Sequence, residues 1–168
     1  SRVGVLSGIE REEFIQQFGK PDTMVVVKNI VLSASGHPLT KPVSKNSSCT
    51  YGVFVSRIVA SKGLDDILAA LPPIRRNLPG FRLWVAGDGP ELKRYQEQAI
   101  QAGVAEMVDW LGLVPNKELP ALLKEADVFL FPSHYPEGMP MALVEALRSG
   151  IPVITTPVRF ARNYLKEE

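Results

Sequence analysis

Glu137 and Glu145 stand eight positions apart, with Pro140 between them. Two carboxylates this close invite an acid/base reading. Their neighbourhood suggests another use. Pro140 suits a first helical position, where its fixed φ helps and its missing N–H costs little. The N–H groups around Met139, Met141 and Ala142 would then lack helical partners, and such a helix start attracts anions. Glu145 lies five residues beyond Pro140, roughly 7.5 Å along a helix axis. Helical side chains lean back towards the N-terminus, so its carboxylate can reach the cleft that the helix start faces. Two acids beside an anion site repel a bare phosphate and suit hydroxyl groups. A ligand carrying a diphosphate and sugar hydroxyls satisfies both.

Two further groups belong to the same reading. Arg57 is followed five residues on by Lys62. Both can meet one anionic group, although taken alone they read equally as an exposed cation pair. Gly87-Asp88-Gly89 allows a tight turn and the close approach of a ligand; taken alone it is an ordinary strand-to-helix turn. Glu145 by itself reads as readily as a solvated helix position.

Other residues are set aside. His134 beside Ser133 has no third triad member placed by sequence and reads as a loop histidine. His37 lies in a polar stretch and reads as solvated. Cys49, the single cysteine, excludes an internal disulfide framework and has no partner at metal-ligand spacing. Gly87-x-Gly89 lacks the third glycine of a dinucleotide fingerprint, Leu92 standing there instead, and no Walker sequence is present.

The elements that position these residues follow from periodicity. Tyr51–Val55 is a continuous apolar run and reads as a strand buried on both faces; Phe81–Ala86, Met107–Leu111, Val128–Phe131 and Pro152–Thr155 read as the strands that follow. Between them lie helical stripes: Leu64, Ile67, Leu68 and Leu71; Leu92, Tyr95 and Ala99 after an opening Pro90; Leu119, Leu122, Leu123 and Ala126 after a capping Asn116; and Leu143, Ala146 and Leu147. Pro72-Pro73, and later Pro79-Gly80, should limit how far the first helix continues. The alternation implies a Rossmann-like, doubly wound parallel sheet of the α/β class, with ligands at the C-terminal edge of its strands.

Before this domain, Val3–Leu6 reads as a strand, Glu10–Phe18 as a helical turn, and Met24–Val27 and Ile30–Leu32 as β-rich. Residues 33–50 are polar and read as a loop or disordered segment. The expected organisation is therefore an N-terminal arm and linker over 1–50, a Rossmann-like domain over 51–158 and a tail over 159–168. Charge is balanced, 19 Lys and Arg against 18 Asp and Glu, so nothing in bulk charge calls for nucleic acid. An apolar fraction of 45% supports a real core, and no apolar run approaches the roughly 20 residues of a membrane span. The lone cysteine fits a reducing compartment. A start at Ser1 rather than Met suggests a processed or trimmed chain.

Taken in order, the motifs resemble the C-terminal, donor-binding domain of retaining GT-B glycosyltransferases of family 4. Val53-Phe54-Val55-Ser56-Arg57 with Lys62-Gly63-Leu64, then Leu83–Ala86 with Gly87-Asp88-Gly89-Pro90, are similar to that family's first two strands and turns. Trp110-Leu111-Gly112, Ala126-Asp127-Val128, Phe131-Pro132-Ser133 and Gly150–Ile154 follow at family spacing, and Glu137 and Glu145 match its two glutamates. The cover is roughly residues 51–157, with a fainter likeness over Val5–Phe18.

The resemblance implies roles. Arg57 and Lys62 would neutralise the diphosphate of a nucleotide-sugar as it leaves. Glu145 would hold the ribose hydroxyls. Glu137 would face the donor sugar, with the N–H groups from Gly138, Met139 and Met141 nearby. Gly87, Asp88, Gly89, Leu113 and Val114 would line the base. It implies transfer with retention, no resident cofactor and no required metal, so that cations and a helix start must meet the leaving-group charge. It implies a saccharide or lipid-linked acceptor, held by an N-terminal domain missing here, and a role in surface polysaccharide or glycoconjugate synthesis. The helix that usually crosses back from the C-terminus is also missing, so the chain alone should bind donor weakly and transfer little. A cytoplasmic location is expected, with room for peripheral membrane association of the full enzyme. Rival readings are a non-catalytic nucleotide-sugar-binding or assembly module, and an epimerase-like enzyme, on the same fold.

Departures from the family pattern are Ser56 in place of a commoner glycine, Pro140 in place of a second glycine, and Val158-Arg159-Phe160-Ala161 in place of a glycine pair and glutamate. The Glu-Gly-x-Pro form resembles a version in bacterial surface-polysaccharide enzymes. Residues 21–50 match none of these motifs.

Overall fold

A computed structural model describes residues 2–5, 16, 23–26, 37–40, 43 and 45–159. Two strands, β1 (Arg2–Val5) and β2 (Thr23–Val26), pair in parallel as a separate two-stranded sheet. The helical turn expected over Glu10–Phe18 and the β-rich run Ile30–Leu32 lie outside the described residues, apart from Gln16, which is helical.

The main sheet holds β3 (Thr50–Val55), β4 (Phe81–Ala86), β5 (Val108–Gly112), β6 (Val128–Phe131) and β7 (Val153–Thr155). All neighbours run parallel in the order β5-β4-β3-β6-β7. The chain therefore winds outward from β3 to β5, returns to lie beside β3 as β6, and continues to β7. The reversal leaves a crevice outside the C-terminal ends of β3 and β6, where ligands bind in open α/β sheets.

Alternation along each strand explains the two layers. Val53, Trp84, Phe129 and Phe131 face one side, packing with Leu122 and Leu123 of α3 (Leu119–Glu125) and Leu143 and Ala146 of α4 (Met141–Ser149). Phe54, Leu83 and Val85 face the other, packing with Leu64, Leu68 and Leu71 of α1 (Leu64–Asn77) and Tyr95 and Ala99 of α2 (Leu92–Gln101). The central strands, covered on both faces, read as apolar runs over Tyr51–Val55 and Val128–Phe131, while β4 and β5 each carry one charged residue, Arg82 and Asp109. Each buried leucine contributes about 1.5–3 kcal/mol.

Four local expectations are corrected. α1 runs through Pro72 and Pro73 to Asn77 rather than stopping at them. Ala69, whose carbonyl Pro73 leaves without an N–H partner, is exposed, so that carbonyl can be solvated; Ile74 still packs against the core. Pro90 sits in a turn and α2 starts at Leu92. Asn116 does not cap α3, whose N-cap is Glu118; its carbonyl accepts from the Leu119 N–H in the preceding turn. Pro140 is the N-cap of α4, with ψ of 111°, and Met141 is its first residue.

The polar stretch before β3 is a loop in its described part, and it is held down. Leu39 and Val43 pack on the α3/α4 side of the core. The Thr40 N–H and hydroxyl donate to the Glu118 carboxylate at 2.9 and 2.8 Å. Lys45 donates to the Glu125 carbonyl at 2.6 Å and pairs with Asp127 at 3.2 Å.

Candidate functional site

The loops at the C-terminal edge are stitched together by their backbones. The Ser56 N–H donates to the Ala86 carbonyl, Ile58 to Asp88, Glu91 to Ile58, and Gly87 to Gly112. This close stitching requires glycine. A Cβ at Gly87 would lie 1.9 Å from the Ser56 carbonyl oxygen, and one at Gly89 2.2 Å from that of Ile58. The glycines thus admit a neighbouring loop, where the sequence suggested the approach of a ligand. Gly63, at φ 74°, does the same between Lys62 and Pro132, whose carbonyl oxygen would be 1.9 Å from a Cβ.

Between these loops and the start of α4 lies a cleft of about 310 Å³. Seven of the anticipated residues line it: Arg57, Gly87, Asp88, Leu113, Val114, Met141 and Glu145. Ser56, Asn116 and Ala142 line it as well. Arg57 is exposed, and its guanidinium makes no hydrogen bond or ion pair among the described residues. The half-buried Glu145 carboxyl likewise accepts no hydrogen bond there. Burial holds its pKa above the ordinary 4.5, partly offset by the Arg148 charge. α4 has no side-chain cap, so the Met141 and Ala142 N–H groups at its first two positions have no carbonyl one turn below. The cleft therefore offers an uncommitted cation, an uncommitted carboxyl and open backbone donors.

Lys62 and Glu137 form a second group. The Lys62 ammonium donates to Glu137 Oε1 in a salt bridge. Ser133 Oγ donates to the same oxygen at 2.8 Å. Glu137 is 8% exposed and Ser133 2%. The Lys62 ammonium also sits 5.4 Å from the centre of the Tyr135 ring. Sequence reasoning placed Lys62 with Arg57 on one anion; the structure pairs Lys62 with Glu137. Met139 packs against the α3/α4 core, and Gly138 is partly buried beside it. Gly89 is engaged in the loop stitching, its N–H taken by the Asp88 carboxylate at 2.7 Å. His134 is an exposed loop residue 2.6 Å from the Asp66 carboxylate.

Ser133, Tyr135 and Asn116 were not anticipated as site residues. The approach of Tyr135 to Lys62 and the place of Asn116 in the cleft depend on loops brought together by the sheet, and no local spacing signals them; Ser133 stands only four residues before its partner Glu137.

A larger cavity of about 430 Å³ lies over the N-terminal half of β3–β5, lined by residues including Tyr51, Arg82 and Asp109. There Arg82 and Asp109 already pair at 2.6 Å. The uncommitted charges are at the switch-point cleft, which is the candidate site. Among the described residues no group of three His, Cys, Asp or Glu side chains could hold a metal ion, and no helix is long and apolar enough to cross a membrane.

The family model described as glycosyl transferases group 1 matches residues 40–168. Among similar curated proteins, the Mycobacterium tuberculosis GDP-mannose-dependent alpha-(1-6)-phosphatidylinositol monomannoside mannosyltransferase is 40% identical over 108 residues, covering 61% of this chain and 28% of the relative. A putative colanic acid biosynthesis glycosyltransferase of Escherichia coli, WcaL, is 30% identical over 147 residues, 84% of this chain and 36% of the relative. The chain thus spans about a third or less of the length of these relatives. Among solved structures, S. aureus TarM in complex with UDP superposes with a TM-score of 0.81 at 17% identity, over 98% of this chain and 32% of that one. Anabaena HepE in complex with UDP and glucose gives 0.78 at 22%, over 99% and 47%.

Proposed function

The chain belongs to the group 1 glycosyltransferase family and has the Rossmann-like architecture of one half of a GT-B fold; from that premise we propose that it is the donor-binding half of a retaining glycosyltransferase. Its substrate is a nucleotide-diphosphate sugar, from which the complete enzyme moves the sugar to a saccharide or lipid-linked acceptor. The observation that carries this reading is the switch-point cleft, where Arg57 and Glu145 stand without hydrogen-bond partners among the described residues beside the open start of α4.

Each group has a part. Glu145 accepts hydrogen bonds from the ribose hydroxyls. Arg57 and the Met141 and Ala142 N–H groups meet the diphosphate. Leu113 and Val114, at the end of β5, flank the base. Lys62 has three donors and spends one on Glu137, leaving others for a phosphate oxygen. Glu137 faces the donor sugar. As the glycosidic bond breaks, charge grows on the diphosphate. Arg57, Lys62 and the helix start are already in place to stabilise it, with no requirement for a bound metal. The acceptor is bound by a further domain of the complete enzyme, working in glycoconjugate or surface-polysaccharide synthesis on the cytoplasmic side of a membrane.

The test is nuclear magnetic resonance of the labelled chain during addition of UDP-, GDP- or ADP-sugars. The expected result is amide shifts concentrated at Arg57, Gly87, Leu113, Ala142 and Glu145. Shifts confined to the cavity around Arg82 and Asp109, or none, would overturn the reading.

A further inference from the structure

Glu137 is held asymmetrically. Both of its donors, Lys62 Nζ and Ser133 Oγ, converge on Oε1. Oε2 accepts no hydrogen bond among the described residues. Nor is it sealed away, because no buried side-chain oxygen or nitrogen lacks a partner there. One oxygen is clamped and the other is presented.

Ser133 is itself held on three sides. Its hydroxyl lies 3.3 Å from the Ser61 carbonyl, an alternative acceptor weaker than the carboxylate at 2.8 Å. Its Oγ accepts from the Tyr135 N–H at 3.3 Å. Its carbonyl accepts from Thr156 Oγ1 at 2.6 Å, just beyond β7. The His134 N–H donates to Ser61 as well, at 2.9 Å, tying this loop to the one after β3. Such a hydroxyl has one proton to give, and the charged acceptor takes it.

We propose that Ser133 is a positioning residue that fixes Glu137 Oε1, so that Oε2 is aimed at a hydroxyl of the donor sugar. The proposal deepens the donor-binding reading and rests on it. Lys62 alone cannot set the orientation, since a single long ammonium leaves the carboxylate free to swivel. A second donor from a buried, backbone-anchored hydroxyl removes that freedom. The sugar therefore meets a preorganised acceptor.

The experiment compares nucleotide-sugars with the matching free nucleotides. Calorimetry on the full chain uses UDP-, GDP- and ADP-glucose and -mannose, then UDP, GDP and ADP. Ser133→Ala should weaken the sugar-bearing ligand by roughly two- to tenfold while leaving the free nucleotide unchanged. Ser133→Thr, which keeps the hydroxyl, should restore the sugar preference. An equal loss for both ligands would mean a structural role, and no loss for either would mean none; each overturns the proposal while leaving the donor site standing. Failure of the parent chain to bind any of these ligands would remove the donor-binding reading and this role together.

Discussion

The Lys62 ammonium and the Glu137 carboxylate meet across 75 residues of chain, joining the loop after β3 to the loop after β6. These are the two strands at which the order of the sheet reverses. The pair therefore spans the crevice that the fold itself creates.

The pair should matter to stability as well as to binding. Lys62→Met leaves a mostly buried carboxylate without its cation and should cost about 1–3 kcal/mol in urea unfolding. Adding Glu137→Gln to that variant should recover part of the loss, because the stranded charge is gone. A Lys62→Met chain as stable as the parent would show that the pair contributes nothing in the folded chain.

The loop stitching makes a sharper prediction. Gly63→Ala and Gly87→Ala each drive a Cβ to within 1.9 Å of a backbone oxygen, at φ of 74° and 150°. Each should cost more than about 3 kcal/mol by thermal or urea unfolding. Gly103→Ala, at φ 65° with nothing within 4 Å, should cost only about 1–2 kcal/mol. Equal losses at all three would mean that the loops do not approach as closely as described.

Much of this was legible in the sequence, and the limits have physical causes. The bounds of β4 and β6 are legible to the residue, because Gly80 and Gly87 flank one and Asp127 and Pro132 the other. The α1 stripe was also legible, since Leu64, Ile67, Leu68 and Leu71 are all buried. Its end falls at Asn77, just before the Pro79-Gly80 signal, and not at Pro72-Pro73, beyond which Ile74 still packs on the core. Arg57 and Glu145 were read as facing one cleft from strand-end and helix-start logic, and the fold brings them there. The partner of Lys62 was missed because an ion pair across 75 residues has no local spacing. Ser133 lies only four residues before Glu137, so that contact is local, but its anchors Ser61 and Thr156 come from other loops and have no local signal.

Glu145 couples stability to function. Burial raises its carboxyl pKa above 4.5, so the folded state holds that proton more tightly than the unfolded chain does. Stability is therefore lost as pH rises from about 4.5 through the raised value, and the loss persists at pH 7. Glu145→Gln should be slightly more stable than the parent at pH 7, by less than about 1 kcal/mol, with the difference narrowing in acid. The same change should weaken nucleotide binding. In the parent, affinity should begin to fall at a pH above 4.5, as the ionised acceptor is lost. A destabilised Glu145→Gln chain with full affinity would contradict both statements.

Thr40 has the opposite signature. Its N–H and hydroxyl hold the Glu118 carboxyl below the ordinary range. Stability from a lowered carboxyl is fully present above the unfolded value and is lost as pH falls through the folded one. Thr40→Val should lower the melting temperature at neutral pH, and the gap should close below pH 4.5. A gap that stays constant with pH would mean that the contact works through packing alone.

The central claim is that the switch-point cleft binds a nucleotide-diphosphate sugar through Arg57, Lys62 and Glu145. Calorimetric titration with UDP-, GDP- and ADP-sugars, on the parent chain and on Lys62→Ala, tests it most directly. The account predicts saturable binding of at least one of them and a roughly tenfold or greater loss in the variant. No binding of any nucleotide-sugar by the parent, or equal affinity in parent and variant, would contradict it.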